Sequence, residues 1–150
     1  MPQSLAPVTV HIVFSTKDRR PLMIKGVREE LHAYLGGTGK AIGTPTLRVG
    51  GTEDHVHILL TLSRTLTIAD TMEGLKTSSS RWMKSKGESL QDFYWQNGHG
   101  MFPVSPSNLA QVRDYIANQE THHRKMTFQQ EYRLFWTKHG VEFDERYVWD

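Results

Sequence analysis

Two histidines separated by one hydrophobic residue, His55-Val56-His57, are the first candidates for chemistry in this sequence. In a β-strand, alternate side chains point to the same face, so both imidazoles would face one point at which a divalent ion could bind. The same triplet also occurs where two histidines only line the polar face of a sheet. The triplet alone therefore leaves both a metal site and a polar sheet face open.

Tyr115 and Gln119 form a second candidate pair, because residues four apart lie one turn above each other on the same face of a helix. They flank an apolar stripe of Leu109, Val112 and Ile116, which places them at the edge of the surface on which the helix packs. A tyrosine at such an edge keeps its hydroxyl in water, and a glutamine there faces solvent. Taken singly, each residue is explained by a structural role.

Hydropathy periods and turn residues predict the elements that position these side chains. The predicted strands are residues 8–15, 41–51, 55–62, 93–95 and 101–104. The predicted helices are one that follows the first strand and ends at Gly36-Gly37, one capped by Thr67, one capped by Ser107, and one capped by Thr127 and ended by Gly140. In the third strand, alternation puts His55 and His57 opposite an apolar face. This order predicts an α+β fold, a ferredoxin-like or RRM-like sandwich with a central antiparallel sheet and extra C-terminal helices that carry Tyr115.

Length and composition exclude several classes of protein. The chain has 150 residues and no cysteine, which excludes a disulfide scaffold, a thiolate metal site and a cysteine nucleophile. We expect one domain spanning residues 1–150. A net charge of only +2 means that any nucleic-acid binding must come from a local patch. No signal sequence or long apolar run is present, so we expect a soluble cytoplasmic protein with no membrane partner.

Several motifs of this sequence occur together and in the same order as in a known family, which the sequence therefore resembles. This family is the single-tyrosine HUH transposases of the smallest bacterial insertion sequences, the IS200-like transposases. The resemblance runs over nearly the whole chain. It is carried by HIVFSTK at residues 11–17, DHVH at 54–57, WQNG at 95–98, SPS at 105–107, YIANQ at 115–119 and TF at 127–128.

The resemblance implies a role for each candidate residue. The two metal-binding histidines of the family fall on His55 and His57, its nucleophile on Tyr115, and its third metal ligand on Gln119. It further implies a homodimer with a shared sheet, in which the tyrosine helix of one subunit can complete the metal site of the other. The implied substrate is single-stranded DNA with hairpin ends.

The residue types agree with this chemistry. A phenol with a pKa near 10 needs a metal ion to polarise the scissile phosphate at neutral pH. Two imidazoles and one amide carry no charge, which leaves Mg²⁺ or Mn²⁺ strongly Lewis acidic and favours these ions over Zn²⁺. Attack by Tyr115 would give a 5′-phosphotyrosine and a free 3′-hydroxyl. Gly39-Lys40 lacks the rest of a phosphate-binding loop, so no nucleotide cofactor is expected.

Two basic clusters are candidates for DNA binding. The first, before the first helix, contains Lys17, Arg19 and Arg20, and the second, on the second helix, contains Lys76, Arg81 and Lys84. Either could contact phosphates, or could be a solvated charged face. Additional histidines could approach DNA or the metal, or could lie on the surface: His11, His99, His122 and His123.

Two other functions remain open at this stage. A domesticated relative could bind hairpin DNA without cutting it. An unrelated metal-dependent hydrolase could use only the His-x-His triplet, and would then form no covalent adduct and need no Tyr115. The tail, residues 143–150, could pack on its own core or on a partner subunit.

Overall fold

A computed structural model describes residues 5–150 as a four-stranded antiparallel sheet with helices on both faces. The strands are β1 (Thr9–Ser15), β2 (Thr46–Gly51), β3 (His55–Thr61) and β4 (Gly100–Pro103). The helices are α1 (Lys25–Ala41), α2 (Ile68–Lys84), α3 (Leu109–Ala117), α4 (Gln119–His122) and α5 (Phe128–Lys138). The strand order β2-β3-β1-β4 is that of a ferredoxin-like sheet, which confirms the predicted α+β fold.

The two central strands, β1 and β3, are covered on both faces. On one face, Ile12 and Ile58 pack with α1 and α2 in the larger apolar core. On the other face, a smaller core contains residues of β1, β4, α5 and the C-terminal tail: Val13, Phe102, Phe128 and Tyr132, with Phe135, Trp136, Val148 and Trp149 packed against them. His55 and His57 face this second layer, so the side of the sheet expected to be polar is buried.

Two predicted boundaries and one predicted strand are wrong. Helix α1 continues through Gly36-Gly37 to Ala41, because Gly39 is still buried on the packing side and the chain turns only at Gly43, where φ is 85°. Strand β2 therefore begins at Thr46 rather than at residue 41. Residues 93–95 form no strand: Phe93 and Trp95 are buried in the core, and only a single bridge joins Trp95 to Thr16.

The predicted helix caps have mixed outcomes. The Thr67 side chain caps α2 by accepting a hydrogen bond from Asp70 N at 3.0 Å, and Thr127 and Gln130 form the reciprocal capping box of α5. Ser107 is not an N-cap, because a 3-10 turn over Pro106–Asn108 precedes α3 and the Ser107 hydroxyl lies 3.0 Å from Ser105 Oγ. The capping box fixes where α5 begins, and α5 covers the histidines.

The C-terminal tail packs on the core of its own chain. The Trp149 ring contacts Tyr132, and the Asp150 carbonyl oxygen accepts hydrogen bonds from Gly98 N at 2.7 Å and Gln96 Nε2 at 3.2 Å. Of the two arrangements considered for the tail, the structure shows the intramolecular one. Within residues 5–150, no helix is both long enough and apolar enough to cross a membrane.

Candidate metal and tyrosine site

His55 is held on the outer side of the site by two residues of the β2–β3 turn. Its Nδ1 atom lies 2.8 Å from Asp54 Oδ1 and 3.1 Å from Thr52 Oγ1. Its Nε2 atom faces the opposite way and lies 3.2 Å from Gln119 Oε1. Contacts of this kind to one ring nitrogen fix the ring orientation and leave the other nitrogen for a metal ion.

His57 is oriented in the same way by a residue of the neighbouring strand. The partner is His11 on β1, whose Nε2 lies 2.7 Å from His57 Nδ1. Burial is the main cause that lowers the pKa of His57 to about 4, so its imidazole is neutral near pH 7, which is the form that binds a metal ion. His11 thus approaches the site, as expected if the first strand neighbours His55 and His57.

A carboxylate that the sequence analysis missed, Glu131 on α5, lies between the histidines. It is 2 % exposed, and its Oε1 atom is 2.9 Å from His57 Nε2 and 3.3 Å from His123 Nε2. Burial opposes ionisation of Glu131, but the neighbouring histidines hold the pKa of this carboxyl well below its usual range. A signal was present in the sequence: Glu131 lies three residues after Phe128 and four before Phe135, on the apolar face of its helix.

Tyr115 lies at the edge of this cluster, in the same chain as the histidines. Its hydroxyl donates a hydrogen bond to Glu131 Oε2 and lies 3.1 Å from His122 Nε2. Burial, followed by the charge of Glu131, raises the pKa of Tyr115. The phenol is therefore protonated, and it contacts one oxygen of the Glu131 carboxylate while His57 contacts the other.

Gln119 reaches the site, but not on the same continuous helix as Tyr115. Helix α3 ends at Ala117, Asn118 leaves helical geometry with φ −106° and ψ 27°, and Gln119 begins α4. The Gln119 side chain stays close to the tyrosine backbone, since its Nε2 donates to Tyr115 O at 3.3 Å. The expectation of one shared helix face is wrong, although the two side chains still converge on one site.

The donor atoms fit a divalent metal ion. One ligand atom from each of four side chains lies within 4.8 Å of all the others: His55, His57, His123 and Glu131. Gln119 Oε1 adjoins the same group, at 3.0 Å from His123 Nε2. Imidazole nitrogens with a carboxylate and an amide oxygen are ligands that bind divalent first-row metals, and the oxygens also suit Mg²⁺.

A cavity of about 320 Å³ lies beside the tyrosine, which forms part of its lining. Its polar side is formed by the side chains of the site, His11, Tyr115, His122 and Glu131, together with Asn108, Gln111 and Lys138. Its apolar side consists of Val112, Met126, Leu134 and Phe135. A flat apolar group attached to a phosphate could therefore lie against this wall with the phosphate near Tyr115.

The two basic clusters differ in how their charges are used. Lys76 Nζ donates to three backbone carbonyls, at 2.7 to 3.1 Å, in the segment 96–98, and Lys84 Nζ donates to Ser80 Oγ and Phe93 O. Arg81 is exposed beside them, in a groove of about 450 Å³. In the first cluster Lys17 and Arg19 are exposed and Arg20 pairs with Asp92 at 2.9 Å. Lys76 and Lys84 thus already have structural partners.

Fold and site together define an α+β protein with a candidate metal centre beside a tyrosine hydroxyl. The chain matches the family described as "Transposase IS200 like" over residues 4–119, most of its length, and it belongs to that family. By family it is therefore a DNA-processing enzyme, as the resemblance in its motifs suggests. The match ends at Gln119, so α5 and Glu131 lie beyond it.

Individual relatives agree with this assignment. The chain is 25 % identical over 114 residues to the ISDra2 transposase TnpA of Deinococcus radiodurans, covering 73 % of this chain and 81 % of that protein. The crystal structure of a candidate transposase from D. radiodurans R1 is similar with a TM-score of 0.62 and 25 % identity, covering 79 % of this chain and 98 % of that one. A REP-associated tyrosine transposase bound to a REP hairpin shares the fold, with a TM-score of 0.60 and 13 % identity over 82 % of this chain and 72 % of that one.

Proposed function

We propose that this protein cuts and rejoins single-stranded DNA in a metal-dependent reaction, with Tyr115 as the nucleophile, and thereby mobilises an insertion sequence. The observation that supports this most is the position of the Tyr115 hydroxyl. It shares the carboxylate of Glu131 with His57 Nε2, so a phosphate bound near the histidines would lie within reach of the phenol. Such proximity is the main requirement for nucleophilic attack.

In this mechanism His55, His57 and Gln119 would hold Mg²⁺ or Mn²⁺. The ion, when bound, supplies charge neutralisation and polarisation of the phosphate. The Tyr115 oxygen forms a bond to phosphorus while the bond from phosphorus to the 3′ oxygen breaks, and the phenol proton is transferred to that 3′ oxygen. The products are a 5′-phosphotyrosine and a free 3′-hydroxyl. The covalent bond retains the energy of the phosphodiester, so a 3′-hydroxyl of a second strand can reverse the step and rejoin DNA without a nucleotide cofactor.

The proposed substrate is single-stranded DNA that carries hairpin ends. A single strand can bend one nucleotide into the cavity beside Tyr115 and place its base against the apolar wall, which a stacked duplex cannot do. A transposase of the same fold is bound to a REP hairpin. Exposed cations, Lys17, Arg19 and Arg81, would contact the DNA backbone. We propose a homodimer acting in the cytoplasm, with Tyr115 able to serve the site of its own chain.

The test is a search for a covalent adduct between the protein and DNA. Labelled single strands from the ends of the element that encodes the protein are incubated with Mg²⁺ or with EDTA and separated under denaturing conditions. Wild-type protein and Tyr147→Phe, which removes the hydroxyl of an exposed tyrosine, should form an adduct only with metal, and Tyr115→Phe should form none. Cleavage without an adduct would instead indicate a metal-dependent hydrolase, and tight binding without cleavage a domesticated binding protein.

A further inference from the structure

The two oxygens of Glu131 face different groups. Oε1 lies among the imidazoles, at 2.9 Å from His57 Nε2, 3.3 Å from His123 Nε2 and 3.6 Å from His55 Nε2. Oε2 faces the nucleophile and accepts the hydrogen bond of the Tyr115 hydroxyl. One buried side chain therefore contacts both the candidate metal ligands and the group expected to attack the phosphate.

We propose that Glu131 is an additional metal ligand through Oε1 and positions the Tyr115 hydroxyl through Oε2. This inference rests on the proposed function, and it adds a residue of α5 to a ligand set otherwise drawn from β3 and α4. Because a single carboxylate makes both contacts, the position of the nucleophile and the binding of the metal ion become coupled.

Charge is the first reason to assign Glu131 to the metal. His55, His57 and Gln119 supply no negative charge, and of the carboxylates near them Asp54 contacts only the outer Nδ1 atom of His55. Glu131 is placed on the Nε2 side, where the ligand atoms converge. A carboxylate at this position would increase the affinity for Mg²⁺ or Mn²⁺, which prefer oxygen ligands, relative to a fully neutral set.

Burial is the second reason. A carboxylate that is 2 % exposed carries a large desolvation cost unless cationic or hydrogen-bonding partners compensate for it. Glu131 forms no contact with a lysine or arginine among the ion pairs of residues 5–150; its partners there are histidines of the site. The simpler alternative is that Glu131 only anchors α5 to the sheet. The affinity for the metal ion separates the two roles, because substitution of a residue that only anchors α5 would leave that affinity unchanged.

The first experiment measures Mn²⁺ binding by isothermal titration calorimetry in the absence of DNA. Glu131→Gln keeps the size and an acceptor oxygen but removes the charge, and we expect it to bind Mn²⁺ about tenfold to a hundredfold more weakly than wild type, as when groups that support metal sites are lost. Glu145→Gln is the matched control, since it removes an exposed carboxylate paired with Arg133. Equal Mn²⁺ affinity of wild type and Glu131→Gln would overturn the assignment of Glu131 as a ligand.

The second experiment tests positioning, at Mn²⁺ concentrations that saturate each variant. Glu131→Gln can still bond the Tyr115 hydroxyl and should form the DNA adduct within about tenfold of the wild-type rate. Glu131→Ala cannot bond the Tyr115 hydroxyl, and it should form the adduct about a hundredfold more slowly than wild type, which is the order expected for a misplaced reacting group. If Glu131→Ala, saturated with Mn²⁺, forms the adduct at the wild-type rate, the positioning role is overturned. If that variant does not fold, a hundredfold decrease in the rate of adduct formation by Glu131→Gln would likewise contradict the positioning role.

The outcomes also separate this inference from the proposed function. If wild-type protein forms no adduct through Tyr115, the proposed function fails, yet the Mn²⁺ titration still reports whether Glu131 is a ligand. If the adduct forms and Mn²⁺ affinity does not depend on Glu131, the function stands and the inference fails.

Discussion

Gly50 of β2 controls how closely the tyrosine helix approaches the sheet. The strand contacts α3, and a Cβ atom at Gly50 would overlap the carbonyl oxygen of Ile116 and lie 2.9 Å from Ile116 Cγ2. Ile116 is fully buried and directly follows Tyr115. A methyl group at Gly50 therefore has to displace the segment of α3 that carries Tyr115, the proposed nucleophile.

The displacement can be estimated from the contact distances. Nonbonded carbon atoms rest about 3.5 to 4.0 Å apart, so relief of the contact with Ile116 requires α3 to move by roughly 1 Å. A misplacement of about 1 Å can lower the rate of a positioned reaction about a hundredfold. Overpacking of a buried site also costs about 1 to 3 kcal/mol of the free energy of unfolding. Gly50→Ala should therefore form the DNA adduct about a hundredfold more slowly while it remains folded.

The assay compares the rate of adduct formation at saturating DNA and metal, with circular dichroism to verify folding. Gly37→Ala is the matched control: it makes the same substitution in α1, where the added Cβ would meet no atom within 4 Å apart from its chain neighbours and the nearby backbone of its own helix. Alanine is favoured over glycine inside a helix by about 1 kcal/mol, so this variant should be slightly more stable and fully active. A folded Gly50→Ala protein that reacts within threefold of the wild-type rate would show that contact with β2 does not set the position of Tyr115.

Two further predictions concern stability. Burial lowers the pKa of Lys76 to about 8, so its ammonium group is still charged at pH 7. Lys76→Met should leave the carbonyls of residues 96–98 without this donor and lower the free energy of unfolding by about 1 to 3 kcal/mol, as measured by urea titration. Arg81→Met, on the same helix, should change the free energy of unfolding little. Burial, followed by the charge of Arg28, lowers the pKa of His32 to about 4, whereas the pKa of a histidine in the unfolded chain is about 6.5. As pH falls from 6.5 to 4, the unfolded chain therefore binds a proton at His32 before the folded protein does, and the free energy of unfolding should decrease. The free energy of unfolding should decrease by at most about 3 kcal/mol. Urea titrations at several pH values should show a smaller decrease in His32→Gln than in wild type. An equal decrease in both proteins would contradict the assignment of this pH dependence to His32.

Local patterns in the sequence predict the central strands well. The alternation over residues 8–15 and 55–62 reflects contacts with the larger apolar core, and these strands are β1 and β3. The same alternation correctly places His55 and His57 on the face opposite to that core. The Thr67 and Thr127 caps are local as well, since each involves residues three apart.

Features that depend on distant contacts were not predictable in this way. Helix α1 passes through Gly36-Gly37 because its packing against the rest of the chain outweighs the low helix propensity of glycine. Glu131 reaches the site because α5 folds back over β3, 74 residues from His57 in sequence. A charged residue on an apolar helix face suggests a buried partner, but the sequence does not say which one.

The basic cluster on α2 shows a related limit. Composition marks Lys76 and Lys84 as cations available to DNA, although their ammonium groups bond backbone carbonyls of the following segment. Charge in a sequence indicates where a cation lies in the chain, and only the fold shows whether that cation still has unused donors. Exposed Arg81 and Arg19 remain the better candidates for phosphate contacts.

Because helical geometry breaks at Asn118, Tyr115 and Gln119 lie on two separate short helices. Both α3 and α4 contact β2, and the Gln119 side chain also contacts His55 and His123. Only Asn118 separates the two helices, and the hydrogen bond from Gln119 Nε2 to Tyr115 O joins the two residues directly, so a substitution that shifts one of them should also disturb the other. If the proposed function holds, a mutation that moves the tyrosine relative to the DNA would therefore also alter the binding of the metal ion.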